Sequence, residues 1–166
     1  TVRFKLWTAA VTFLAAVFVF LTFGDKLISI YLTGEGDAVE RAAMLEYGRN
    51  YLRIMLWGLF PFALSQVYGG TLREMGETVL PMKASLAGVL TNLSLNYLLI
   101  YGKLGFPALG VEGAAIATVI ARFVELLIIA LYTQRNSLRY PFAEGLYKSI
   151  RIPKSLILKI VRKGMP

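Results

Sequence analysis

The sequence predicts an all-α fold, a polytopic membrane bundle of four transmembrane helices followed by a basic amphipathic tail. Three observations carry that expectation. Residues of the AVILMFWYC set make up 57% of the 166 positions and charged residues only 17%, against about 45–50% and about 25% in a soluble domain. Four consecutive stretches are apolar enough, and long enough, to cross a bilayer, which takes roughly 17–25 helical residues. The charges are distributed unevenly around those stretches. Buried helices of a large soluble protein are the competing reading, but four uniformly apolar stretches of membrane length in a row are rare in soluble folds.

The first span centres on residues 6–23, which carry no charge, and is expected to run past Asp25 and Lys26 to about residue 30. The second covers about 51–72 and holds Pro61, which should bend it or loosen its backbone, with Gly58, Gly69 and Gly70 as points of close approach. The third covers about 79–101 and the fourth about 111–133. Residues 76–81, with Gly76, Thr78 and Pro81, and residues 102–107, with Gly102, Gly105 and Pro107, have the chemistry of ordered turns. Residues 31–50, a loop with Glu35, Asp37, Glu40 and Glu46 against Arg41 and Arg49, join the first two spans.

Charge sets the expected orientation. Residues 134–166 hold eight basic side chains (Arg135, Arg139, Lys148, Arg151, Lys154, Lys159, Arg162 and Lys163) against Glu144 alone, seven of the chain's formal +8. Arg3 and Lys5 precede the first span. Basic residues favour the cytoplasmic side, so both ends are expected in the cytoplasm and the acidic loop outside, in agreement with an even number of spans. A basic balance can also signal nucleic-acid binding. Beside membrane helices, a cytoplasmic linker touching anionic headgroups is the better reading, and residues 153–163 have the pattern of a short interfacial helix. Thr1 at the start and Gly164-Met165-Pro166 at the end are expected for a piece cut from a longer protein. Residues 6–23 are too long for the apolar region of a secretory signal, and no small-residue cleavage site follows them.

With no cysteine and no histidine, disulfides, thiolate metal sites, thiol catalysis and histidine acid–base chemistry are excluded. No nucleotide-binding loop, metal-ligand spacing or nucleophile–base pair occurs, so an enzyme is not expected. Function is sought instead among polar groups at membrane depth, where lipid makes them costly. The third span offers Thr91, Asn92, Ser94 and Asn96. Asn92 and Asn96 are four apart and share a helix face. They serve either as interhelical glue or as part of a substrate or ion site. Gly110 and Gly113 open a run of small residues suited to close packing, on which Thr118 could face the same cavity. Arg122 and Glu125, three apart, suit a pair with each other or with a neighbouring helix, as a gate or an anchor.

The run LREMGETVLPM (72–82), then N-x-x-x-N-Y-L-L-I-Y-G (92–102), then GFPALGVEGAAIATVIAR (105–122), with YLRI at 51–54, resembles the multidrug and toxic compound extrusion (MATE) transporters. The resemblance spans nearly the whole chain and is most specific from residue 72 to 125. It implies twelve helices in two six-helix lobes. This chain would supply the third to sixth helices of the amino-terminal lobe (1–133) and the linker between lobes (134–166). It further implies export of organic cations or drugs in exchange for Na⁺ or H⁺, in a bacterial or archaeal cytoplasmic membrane, with no cofactor beyond the coupling ion. The implied partners are membrane lipid, organic cation substrates and the remainder of the transporter, its first two helices and second lobe, with no nucleic acid. The piece alone is expected not to transport. By the same resemblance Asn92, Asn96 and Thr118 line the amino-lobe cavity. Family members often have an acid one turn after the first asparagine; the neutral Asn96 stands there, which argues against proton carriage at that position. A lipid-linked oligosaccharide flippase of the same superfamily, which needs a basic cavity, and a non-transporting membrane scaffold are the rival readings.

Overall fold

The computed structural model describes residues 2–31 and 37–140. Four helices form in order: α1 (Val2–Tyr31), α2 (Ala38–Glu74), α3 (Val79–Tyr101) and α4 (Gly110–Arg135). No strand occurs among the described residues. Glu35, the linker beyond Tyr140 and the helix anticipated at 153–163 lie outside them.

Three helices, α1, α3 and α4, are long and apolar enough to cross a membrane. α2 is diluted by Ser65, Gln66, Gly69, Gly70 and Thr71, yet its geometry ties it to the same slab. Lys5 near the start of α1 pairs with Glu74 at the end of α2. Asp25 near the end of α1 takes both Nε and Nη2 of Arg49, at 2.6 and 2.7 Å. The two helices therefore run antiparallel over residues 5–25 and 49–74, and a bilayer crossed by one is crossed by the other.

Large apolar side chains are exposed along all four helices, while the buried set mixes apolar residues with small and polar ones. On α2 the buried face is Gly58, Pro61, Ser65, Tyr68 and Leu72, small and polar residues included. Large apolar side chains such as Leu14, Phe18, Leu21, Trp57 and Leu93 point outward. Such an exterior suits lipid, and the small residues let backbones approach. Four hydroxyls are satisfied on their own helix: Thr71, Thr91, Ser94 and Thr133 donate to the carbonyls of Val67, Ala87, Leu90 and Ile129, whereas the buried Ser65 Oγ has no hydrogen-bond partner.

One expectation is corrected here. Residues 38–50, read as part of a loop, are the first turns of α2. Ala38, Ala42, Ala43, Met44 and Leu45 are good helix formers, Glu40 sits in the first turn where the helix dipole favours an anion, and the Arg41 amide donates to the Asp37 carbonyl at 3.0 Å. Hydropathy delimits only the part of a helix inside lipid; these charged turns extend it beyond. At 37 residues α2 is about 55 Å long, well over the bilayer's apolar thickness of about 30 Å. The helix also continues through Pro61.

α4 is the hub. It packs along α2 on one side and α3 on the other, whereas α2 and α3 barely touch and α1 leans on α2 alone among the principal contacts. The lateral order is therefore α1–α2–α4–α3. Two close approaches seat α4. A Cβ on Gly58 would lie 3.1 Å from Val119 Cγ2, and one on Gly113 would lie 2.8 Å from the Leu99 carbonyl oxygen. The α3–α4 turn begins at Gly102, whose φ of 64° lies in the left-handed region and where a Cβ would sit 2.9 Å from the Ala108 nitrogen. Gly102→Ala should destabilise the protein by roughly 2 kcal/mol through backbone strain and this contact, read as a lower melting temperature in detergent.

Candidate functional site

The polar groups of α3 and α4 meet in one place. Asn96 Nδ2 donates to Asn92 Oδ1 at 3.0 Å, one turn back along α3. Asn92 Nδ2 donates across to Thr118 Oγ1 on α4 at 3.1 Å. Thr118 Oγ1 in turn donates to the Ala114 carbonyl at 2.9 Å. Every hydrogen in this chain points the same way, from α3 into α4. Its head is Asn96 Oδ1, a buried acceptor with no hydrogen-bond partner.

Beside the network lies a cavity of about 140 Å³ between α3 and α4, lined by Ser85, Gly88 and Asn92 on one wall and Thr118, Arg122 and Glu125 on the other. Arg122 Nη1 contacts Glu125 Oε2 at 3.0 Å. The Glu125 residue is only 8% exposed, so its carboxylate depends on that partner. The guanidinium carbon of Arg122 also stands 5.0 Å from the ring centre of Phe62 on α2, a cation–π arrangement. At Gly88, which lines the cavity, a Cβ would make ordinary contact with the Ala121 carbonyl oxygen at 3.4 Å and with Glu125 Cβ at 3.5 Å.

Of the residues singled out in the sequence, Asn92, Thr118, Arg122 and Glu125 share this cavity, and Asn96 joins it through Asn92. Thr91 and Ser94 do not take part; both back-bond to their own helix. Ser85, Gly88 and Phe62 were missed. Ser85 and Gly88 had a signal, for 85, 88, 92 and 96 recur at helical spacing as a stripe of small and polar residues. Phe62 had none, because its partner is on another helix.

The MatE family model matches residues 1–98. The chain belongs to this family. Among curated relatives, the MatE chain is 39% identical to a "Probable multidrug resistance protein NorM" of Thermotoga maritima over 60% of its length and 20% of the relative's. It is 33% identical to the "Multidrug resistance protein MdtK" of Pectobacterium atrosepticum over 75% of its length and 27% of the relative's. A "Probable multidrug resistance protein NorM" of Bacillus cereus is 32% identical over 92% of the chain and 33% of the relative. The chain thus spans a third or less of these relatives. No solved structure matches it significantly.

A second polar cluster closes the opposite end of α4. Past Arg135 the chain turns back, Tyr140 is 2% exposed and packs among Tyr68, Leu72, Leu80, Ala84 and Ile129. Its hydroxyl donates to Glu77 Oε2 at 3.2 Å, and Arg139 Nη2 reaches the same oxygen at 3.3 Å. Near the Asp25 end, Asn50 Nδ2 donates to Glu112 Oε1 at 2.9 Å, tying α2 to the start of α4.

Proposed function

We propose that this chain is the third to sixth helices of the amino-terminal lobe, with the linker that follows, of a multidrug exporter that moves organic cations across a bacterial or archaeal cytoplasmic membrane against Na⁺ or H⁺. It is a transporter rather than an enzyme. Lobe would rock against lobe around a midplane cavity. The single observation that supports the site is Asn96 Oδ1, a buried acceptor left open at the head of a fully directed hydrogen-bond chain. An open acceptor at membrane depth calls for a donor or a cation. An organic ammonium or a partly hydrated coupling ion meets that need.

Asn92, Asn96 and Thr118 accordingly bind the cargo or the coupling ion, and Arg122 with Glu125 acts as gate or anchor below them. The basic residues Arg135 and Arg139 share an end of the bundle with Lys5 and Glu77, which supports placing that end in the cytoplasm. Asp25 and Arg49 then mark the outer end. The cavity's one cation, Arg122, is paired with Glu125, which disfavours a pyrophosphate-carrying flippase.

The test uses the whole transporter that carries this sequence, expressed in a pump-deficient bacterium, with ethidium efflux followed under a Na⁺ or H⁺ gradient. Replacing Asn92 and Asn96 together by leucine should cut gradient-driven efflux about tenfold or more, the scale of lost buried hydrogen bonds, while membrane accumulation stays normal. Unchanged efflux in the double variant would remove the two asparagines from the pathway.

A further inference from the structure

Arg122 occupies a place that a free cation would fit. Its guanidinium contacts both a carboxylate that is almost wholly buried, Glu125 at 3.0 Å, and an aromatic ring, Phe62 at 5.0 Å. A carboxylate that accepts hydrogen bonds and an aromatic face that meets positive charge together recognise guanidinium and ammonium groups. Space adjoins it: the 140 Å³ cavity reaches Arg122 and Glu125 at one end and Asn92 and Thr118 at the other. The Arg122 side chain is 40% exposed, whereas that of Glu125 is 10% exposed. The guanidinium can therefore swing out while the carboxylate cannot follow.

We infer that Glu125 and Phe62 form a subsite for a guanidinium- or ammonium-bearing organic cation, and that Arg122 is a tethered occupant of it which the incoming cation displaces. The inference rests on the cation-export reading and adds a location and a competitor to it. In the resting state Arg122 neutralises Glu125 and closes the Phe62 face. An arriving cation takes over both contacts, so the buried Glu125 carboxylate is never left without a cation. The released Arg122 then repels a second cation from the cavity mouth.

The test measures binding of radiolabelled methylguanidinium to the whole purified transporter at mildly alkaline pH. Arg122→Ala removes the competitor and should tighten binding about tenfold, the scale of a desolvated cation–π contact and a freed carboxylate. Adding Glu125→Gln to that variant should abolish the gain, and Phe62→Leu should reduce it severalfold. Arg122→Lys, with a compact ammonium in place of the planar guanidinium, should give an intermediate gain and serves if the alanine variant accumulates poorly. A structural ion pair alone predicts otherwise: equal or weaker methylguanidinium binding in both Arg122 variants would overturn the inference. The two readings fail separately. Unchanged affinities in a protein whose ethidium efflux needs Asn92 and Asn96 sink only the subsite. Tightened binding in a protein with no cation efflux sinks only the export reading.

Discussion

Gly113→Leu should leave the protein unable to accumulate in the membrane, and Gly113→Ala should lower its stability by about 2–4 kcal/mol through overpacking and a weakened hydrogen bond. Even a methyl group at this position would lie 2.8 Å from the Leu99 carbonyl oxygen and 2.9 Å from its carbon. Those are backbone atoms and cannot rotate aside, so α3 and α4 must separate. The same Leu99 oxygen accepts the Leu109 amide at 2.8 Å, and the separation strains that bond too. The damage also propagates to the site, because the Asn92–Thr118 hydrogen bond at 3.1 Å crosses the same helix pair. Thermal unfolding in detergent, followed by circular dichroism, is the measurement. A melting temperature unchanged by Gly113→Ala would mean that α3 and α4 slide apart freely, and that the close contact does not hold the cavity in shape.

Tyr140→Ala should cost about 3–5 kcal/mol, the usual range for removing a large buried aromatic side chain, whereas Tyr140→Phe should cost about 1–2 kcal/mol through Glu77's lost hydrogen bond. The ring fills the space between α2, α3 and α4 beside Leu72 and Ile129. No other described residue beyond α4 is buried. The Tyr140 phenol also carries a pH signature. Burial pushes its pKa up, the Arg139 cation opposes the shift, and the Glu77 carboxylate adds to it. A group whose pKa is raised by folding holds its proton more tightly in the folded state. Its contribution is complete below the unfolded value of about 10 and is lost as the pH rises through the higher folded value. Tyr140→Phe should therefore narrow its stability gap to the unaltered protein above pH of about 10. A gap that stays constant with pH would show that the phenol is not held in the fold as described.

What lies within one helix could be read from the sequence, and what lies between helices could not. The bilayer-length apolar stretches, the shared face of Asn92 and Asn96 and the pairing distance of Arg122 and Glu125 follow from a fixed rise and turn per residue, whatever the neighbours do. The start of α2 at Ala38 was missed for a related reason, since hydropathy marks where lipid begins and not where a helix begins. The placement of α4 between α2 and α3, the bond from Asn92 to Thr118, the stacking of Arg122 on Phe62 and the return of Tyr140 onto Glu77 were decided only by tertiary structure. In lipid the helix faces show no apolar contrast that would reveal their partners; the pairing is selected by where small residues such as Gly58, Gly88 and Gly113 let backbones come close and leave their polar neighbours facing one another.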